Sequence, residues 1–147
     1  MAYETNYVEN EILSLDKDEL ISFIYRGILN YIYKLENYME TENAKEKVLL
    51  VNKIIDIISY LRSILDFEKG GIISKNLDNL YIFSIKELTE ANISNDIEKI
   101  KSVENIFKEL LDTWNQMIKK NKARQSSSME AQRINPEEKR KQVEIYG

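Results

Sequence analysis

Residues 66–96 read DFEKGGIISKNLDNLYIFSIKELTEANISND, and this stretch decides the fold. Lys69-Gly70-Gly71 is the strongest break in the body of the chain, because paired glycines punctuate regular structure. After it, Ile73, Leu77, Tyr81, Ser84, Leu88 and Ala91 recur at steps of three and four, which lines them along one face of a helix. Period-two alternation is not sustained, so a strand reading fails. Asn92-Ile93-Ser94-Asn95 then offers turn chemistry. The stretch predicts one helix over about 72–92, bounded at both ends.

The same spacing extends outward. Upstream, Leu20, Ile24, Ile28, Tyr31, Leu35 and Tyr38 form a stripe. Asp16 and Glu19 stand ahead of it at the spacing of a capping box, which predicts a helix over 16–39. Asn43 and Glu46 repeat that spacing before Val51, Ile54, Ile58, Leu61 and Leu65, a second helix over 44–66. Downstream, Asn95 or Asp96 caps a stripe of Ile97, Ile100, Val103, Phe107, Leu110, Trp114 and Met117 or Ile118, a helix over 96–120. Four helices of similar length with short joints pack as antiparallel neighbours. The expected fold is all-α, an antiparallel up-down-up-down four-helix bundle. Residues 1–15 form an N-terminal segment packed on it and covering an apolar groove, and 121–147 a flexible basic tail.

Composition limits the chemistry. The 147 residues are 43% hydrophobic and 31% charged, the profile of a globular chain. They include no cysteine and no histidine, which removes disulfides, thiolate zinc sites and the commonest general base. There is no phosphate-cradling glycine loop, since Gly70-Gly71 lacks the flanking glycine and lysine-serine pattern. No catalytic residue, metal site or cofactor is expected, and the protein reads as a non-enzyme. The net charge of −4 divides unevenly. Residues 1–118 carry 13 Lys/Arg against 21 Asp/Glu, a net of −8, and residues 119–147 carry 8 against 4, a net of +4. An acidic body argues against nucleic acid as partner. The chain shows no signal-peptide pattern and no apolar run long enough for membrane insertion, so a cytoplasmic location is expected.

What the pattern does supply is surplus apolar surface. Val48, Ile55, Ile57 and Ile64 fall off the stripe of the second helix, and Ile82, Phe83 and Ile85 off that of the third. Exposed apolar faces of this breadth mark partner sites. Nine tyrosines, with Tyr3, Tyr7, Tyr25 and Tyr33 hard to place in the core, point the same way. Trp114 sits on a stripe and reads as core. The side chains expected to meet a partner are Tyr3, Tyr7, Val8, Ile21, Tyr25, Ile28, Ile55, Ile58, Tyr81, Ile85 and Leu88. The same faces would allow a weak homodimer. A generic helical interaction or regulatory module is the alternative reading.

One family shares these residues. Asp66, Glu68-Lys69-Gly70-Gly71, Asn76-Leu77, Leu80-Tyr81, Leu88, Ala91-Asn92 and Asp96 resemble the corresponding block of the flagellar export chaperone FliS family. Trp114 falls where that family carries a tryptophan. Tyr3, Asn6 and Val8 resemble its N-terminal motif, and Leu20, Tyr25 and Gly27 a motif in its first helix. Asp16-Lys17 stands where the family usually has Ser-Pro, and aspartate caps as well as serine. The resemblance covers about residues 2–118. It implies a four-helix bundle that binds the disordered C-terminal segment of flagellin in the cytoplasm. It also implies that this binding prevents premature polymerisation and aids delivery to the flagellar type III export apparatus. The N-terminal segment would then occupy part of the binding surface and move aside.

Overall fold

The computed structural model describes residues 16–133. Four helices follow one another: α1 (Lys17–Glu40), α2 (Ala44–Ser63), α3 (Phe67–Ser94) and α4 (Ile97–Arg133). Each packs mainly on two neighbours, in the cyclic order α1–α2–α3–α4, and the broadest seam joins α1 to α4. With joints of two or three residues between helices, this is the expected antiparallel bundle. The segments 1–15 and 134–147, including Tyr3, Tyr7 and Val8, lie outside the described residues.

The helix starts follow cap chemistry. Asp16 accepts from the Glu19 amide at 2.8 Å, satisfying one orphan donor of α1. Asp96 accepts from the Glu98 amide at 3.0 Å and so takes the cap of α4. Asn43 was expected to cap α2 but makes no side-chain cap bond. Its backbone instead closes the joint, with its amide on Tyr38 O and its carbonyl receiving Lys47 N, both at 3.0 Å. The Lys47 side chain reaches the far end of α3, donating to Asn92 O at 3.1 Å and Asn95 Oδ1 at 3.3 Å. A cation there satisfies C-terminal carbonyls and complements the helix dipole.

The joint between α2 and α3 differs from the expectation. The second helix ends at Ser63 rather than Asp66, and Asp66 opens α3 by accepting from the Glu68 and Lys69 amides at 3.1 and 3.0 Å. One turn then precedes a kink at Gly71, with φ +51° and ψ −123°. Only glycine adopts that conformation at low cost. Gly70 is required for a different reason. A Cβ there would lie 1.8 Å from Ser74 Oγ, which is engaged with Asp66 O at 2.9 Å.

In α2, α3 and α4 the buried rows match the expected stripes closely. The differences are Leu50 and Ser74, which join the buried rows, Ile73, which is exposed, and Leu65, Ile97, Trp114 and Met117, which are half-buried. In α1 the core row is Ser22, Tyr25, Ile28, Ile32, Leu35 and Met39, so the face is rotated about one residue from the expected stripe. Tyr25 accounts for the rotation. Its hydroxyl meets that of Tyr81 at 2.5 Å, which lets a polar tip sit in the core. Phe107 packs edge-on against Tyr25 at 5.7 Å and parallel to Tyr81 at 6.3 Å. Trp114 meets Tyr25 edge-on at 5.4 Å and is half-buried rather than fully inside.

Helix α4 runs thirteen residues past its expected end at Lys120. No glycine or proline interrupts the chain before Pro136, and extending an existing helix avoids the cost of a new nucleus. Part of the expected flexible tail is therefore helix. Lys122 pairs with Glu19 of α1 at 3.4 Å, so the start of α1 lies level with Lys122. The side chains from Lys119 to Glu130 are all exposed.

On the α1–α4 seam, Glu36 faces Glu104. Glu36 Oε1 is buried with no hydrogen-bond donor, while Glu104 holds Lys108 at 2.8 Å. Burial, followed by contact with Glu104, pushes the Glu36 carboxyl up to about 7 from its ordinary 4.5. The hydrogen bond from Glu36, followed by Lys108, holds Glu104 below its ordinary value. Protonated, the Glu36 carboxyl can donate to the ionised Glu104, which is why the two values move apart.

Three outcomes test this fold. Gly71→Ala should cost about 1–2 kcal/mol in chemical denaturation, because alanine is strained at that φ. Tyr25→Phe or Tyr81→Phe alone should cost about 1–2 kcal/mol and the double variant less than the sum, since the orphaned hydroxyl disappears with its partner. The third outcome follows from the raised Glu36 value. Its contribution is complete below 4.5 and lost as pH rises through about 7. Glu36→Gln should thus match wild type near pH 4 and gain about 1 kcal/mol by pH 8, a figure discounted for partial solvent screening.

Candidate functional site

The core leaves thirteen large apolar side chains outside it among the described residues. Seven belong to α3: Phe67, Ile72, Ile73, Leu80, Ile82, Phe83 and Ile93. Val48, Leu49 and Tyr60 come from α2, Phe23 and Tyr33 from α1, and Met129 from α4. The off-stripe residues divide. Val48, Ile82 and Phe83 are exposed, while Ile55, Ile57, Ile64 and Ile85 are half-buried and pack on the core.

Five of the expected contact residues are core residues. Tyr25, Ile28, Ile58, Tyr81 and Leu88 are fully buried or nearly so. They lie on the inward rows, where the bundle needs their volume, and leave a partner almost nothing to touch. Burial pushes both tyrosine hydroxyls above the ordinary phenol value, so the pair stays neutral and is a packing element. Ile21, Ile55 and Ile85 are half-buried and remain accessible at the rim.

Two concavities with mainly apolar linings mark the outer surface. A groove of about 670 Å³ runs between α1 and α2. From α1, Phe23, Gly27, Asn30 and Lys34 follow at steps of four, three and four, and from α2, Lys53, Ile57 and Tyr60 do likewise. Ile24 and Tyr31 form the inner wall. Tyr31 carries Lys53 over its ring at 4.8 Å and Lys34 at 5.9 Å, within cation–π range. Beyond these three residues the depression continues to Tyr38, Glu46 and Leu49. The second concavity, of about 350 Å³, lies where α1 begins and α2 hands over to α3. Its lining includes Ile21, Leu65, Ile73, Tyr81, Trp114 and Met117.

Gly27 is unusual within this groove. A glycine inside a helix costs about 1 kcal/mol relative to alanine, and close packing or positive φ normally accounts for it. Gly27 shows neither, since among the described residues a Cβ there would meet nothing within 4 Å. The groove itself was not expected from the sequence. Its signal in the sequence is Phe23, Ile57 and Tyr60, apolar residues that lie off the stripes. Among the described residues no group of three or more acidic side chains could hold a metal ion. No described helix is long and apolar enough to cross a membrane. The arrangement offers apolar walls, aromatic edges and two lysines, which suits a polypeptide surface.

Comparison with known proteins agrees. The family model for "Flagellar protein FliS" matches residues 1–121. A flagellar secretion chaperone FliSB from Pseudomonas aeruginosa is 35% identical over 76% of this chain and 89% of its own length. The flagellar secretion chaperone FliS of Salmonella typhimurium is 32% identical over 81% and 89%, and that of Vibrio cholerae 31% over 79% and 85%. A crystal structure of a flagellar chaperone from bacteria superposes with a TM-score of 0.69 at 18% identity, covering 82% of this chain and 98% of its own, and this shows the shared fold. Fold, central sequence block and relatives converge, and the chain belongs to the FliS family of flagellar secretion chaperones.

Proposed function

We propose that the protein binds the disordered C-terminal segment of flagellin in the cytoplasm, keeps it from polymerising early and delivers it to the flagellar type III export apparatus. It does so without enzymatic chemistry. The observation that carries this reading is a complete core with thirteen large apolar side chains left outside it. A bundle that needs no more apolar burial for itself has surface to lend. The client gains helical structure by laying apolar side chains into grooves, so folding and binding are coupled. Residues 1–15, with Tyr3, Tyr7 and Val8, serve in this reading as a cover that yields to the client. Ile21, Ile55 and Ile85 contact the client at the rim.

Calorimetric titration with a peptide of the flagellin C-terminal segment tests this. The expected result is binding at micromolar concentration or below with a negative heat-capacity change, the marker of apolar burial. No binding at about tens of micromolar, or binding without that heat-capacity change, overturns it.

A further inference from the structure

We propose that the α1–α2 groove seats one helix of the client, with an apolar anchor over Gly27 and a carboxylate held by Lys34 and Lys53 about two turns away. The inference rests on the client reading above and adds the chemistry of one binding position.

Gly27 carries the first part. The bundle does not require a glycine there, and the absent side chain leaves the groove floor open between Phe23, Ile24, Ile57 and Tyr60. A preformed apolar concavity of this kind accepts a bulky side chain or the close approach of a helix. The two lysines carry the second part. Residues 1–118 have a net charge of −8, so most of the body repels an acidic partner. Lys34 and Lys53 both reach over the ring of Tyr31, and among the described residues neither makes an ion pair. Acidic groups flank them along the groove, Asp56 in one direction and Glu46 in the other, so the positive charge is confined to the middle. The ring of Tyr31 holds both ammonium groups near one place.

Length fixes the form of the occupant. From Phe23 to Tyr38 the groove and the adjoining depression follow α1 for fifteen steps, about 22 Å, which matches four turns of a ligand helix. The step from Gly27 to Lys34 is about 10 Å. The client helix would therefore carry its apolar anchor and its carboxylate about seven residues apart.

The test uses the full-length protein and the flagellin C-terminal peptide, with calorimetry and thermal melting on each variant. Gly27→Leu fills the floor without a clash at Cβ and should melt at or above wild type while binding about tenfold or more weakly. Lys34→Glu with Lys53→Glu, both at the surface, should weaken binding by a similar factor. Lys34→Arg with Lys53→Arg should stay within about twofold, and its affinity should fall with salt. Binding of Gly27→Leu within about twofold of wild type overturns the proposal and leaves the groove to residues 1–15 or to a second copy. If Gly27→Leu fails to fold, unchanged binding by the double glutamate variant overturns it equally. Absence of binding by the wild-type protein is a separate result that removes the client reading itself, and this inference with it.

Discussion

The hydroxyl contact between Tyr25 and Tyr81 governs the interior of this bundle. The two residues sit on α1 and α3, helices that otherwise scarcely touch, so the contact spans the core on its diagonal. Each hydroxyl needs a partner once water is excluded, and among the described residues each finds it in the other. That requirement fixes the rotation of both helices about their axes. Phe107 then packs against both rings, and Trp114 closes over Tyr25 from α4. Ser22 donates to Asn115 at 2.7 Å one turn away, tying α1 to α4 beside the aromatic cluster.

With the interior satisfied, the exterior is free for other work. The apolar residues left outside lie on several faces of the bundle, and α3 alone holds seven of them. A partner on the bundle surface therefore meets apolar side chains from α1, α2 and α3 without disturbing the aromatic centre. The charged contacts between helices remain near the surface. Arg62 with Asp78 at 2.6 Å, and Lys99 with Glu90 at 2.8 Å, steady the α2–α3 and α3–α4 seams. Partial exposure limits what each contributes.

Much of the architecture was legible in the residue spacing. Stripes on α2, α3 and α4 appear in the core almost as read, because their buried positions are aliphatic, small or aromatic. The stripe on α1 was misplaced by about one residue because Tyr25 was judged by its own polarity, whereas its partner lies 56 positions along the chain. Helix α4 continues past Lys120 through Ser126, Ser127 and Ser128, because serine only weakens a helix that is already running. Surplus apolar surface on α2 and α3 was also legible. The α1–α2 groove was not, since it comes from residues on two helices, one of which contributes the absence of a side chain.

The seam of greatest extent joins the first helix to the last. During synthesis the α1 face bearing Tyr25, Ile28 and Leu35 emerges long before the α4 row of Ile100, Val103 and Phe107 that covers it. The first three helices cannot close the ring by themselves, and the aromatic cluster waits for Phe107. This arrangement makes formation of the chaperone a late event, cooperative with completion of its own C-terminal helix. Until that helix arrives, the nascent chain presents the same kind of uncovered apolar surface as the clients of a chaperone.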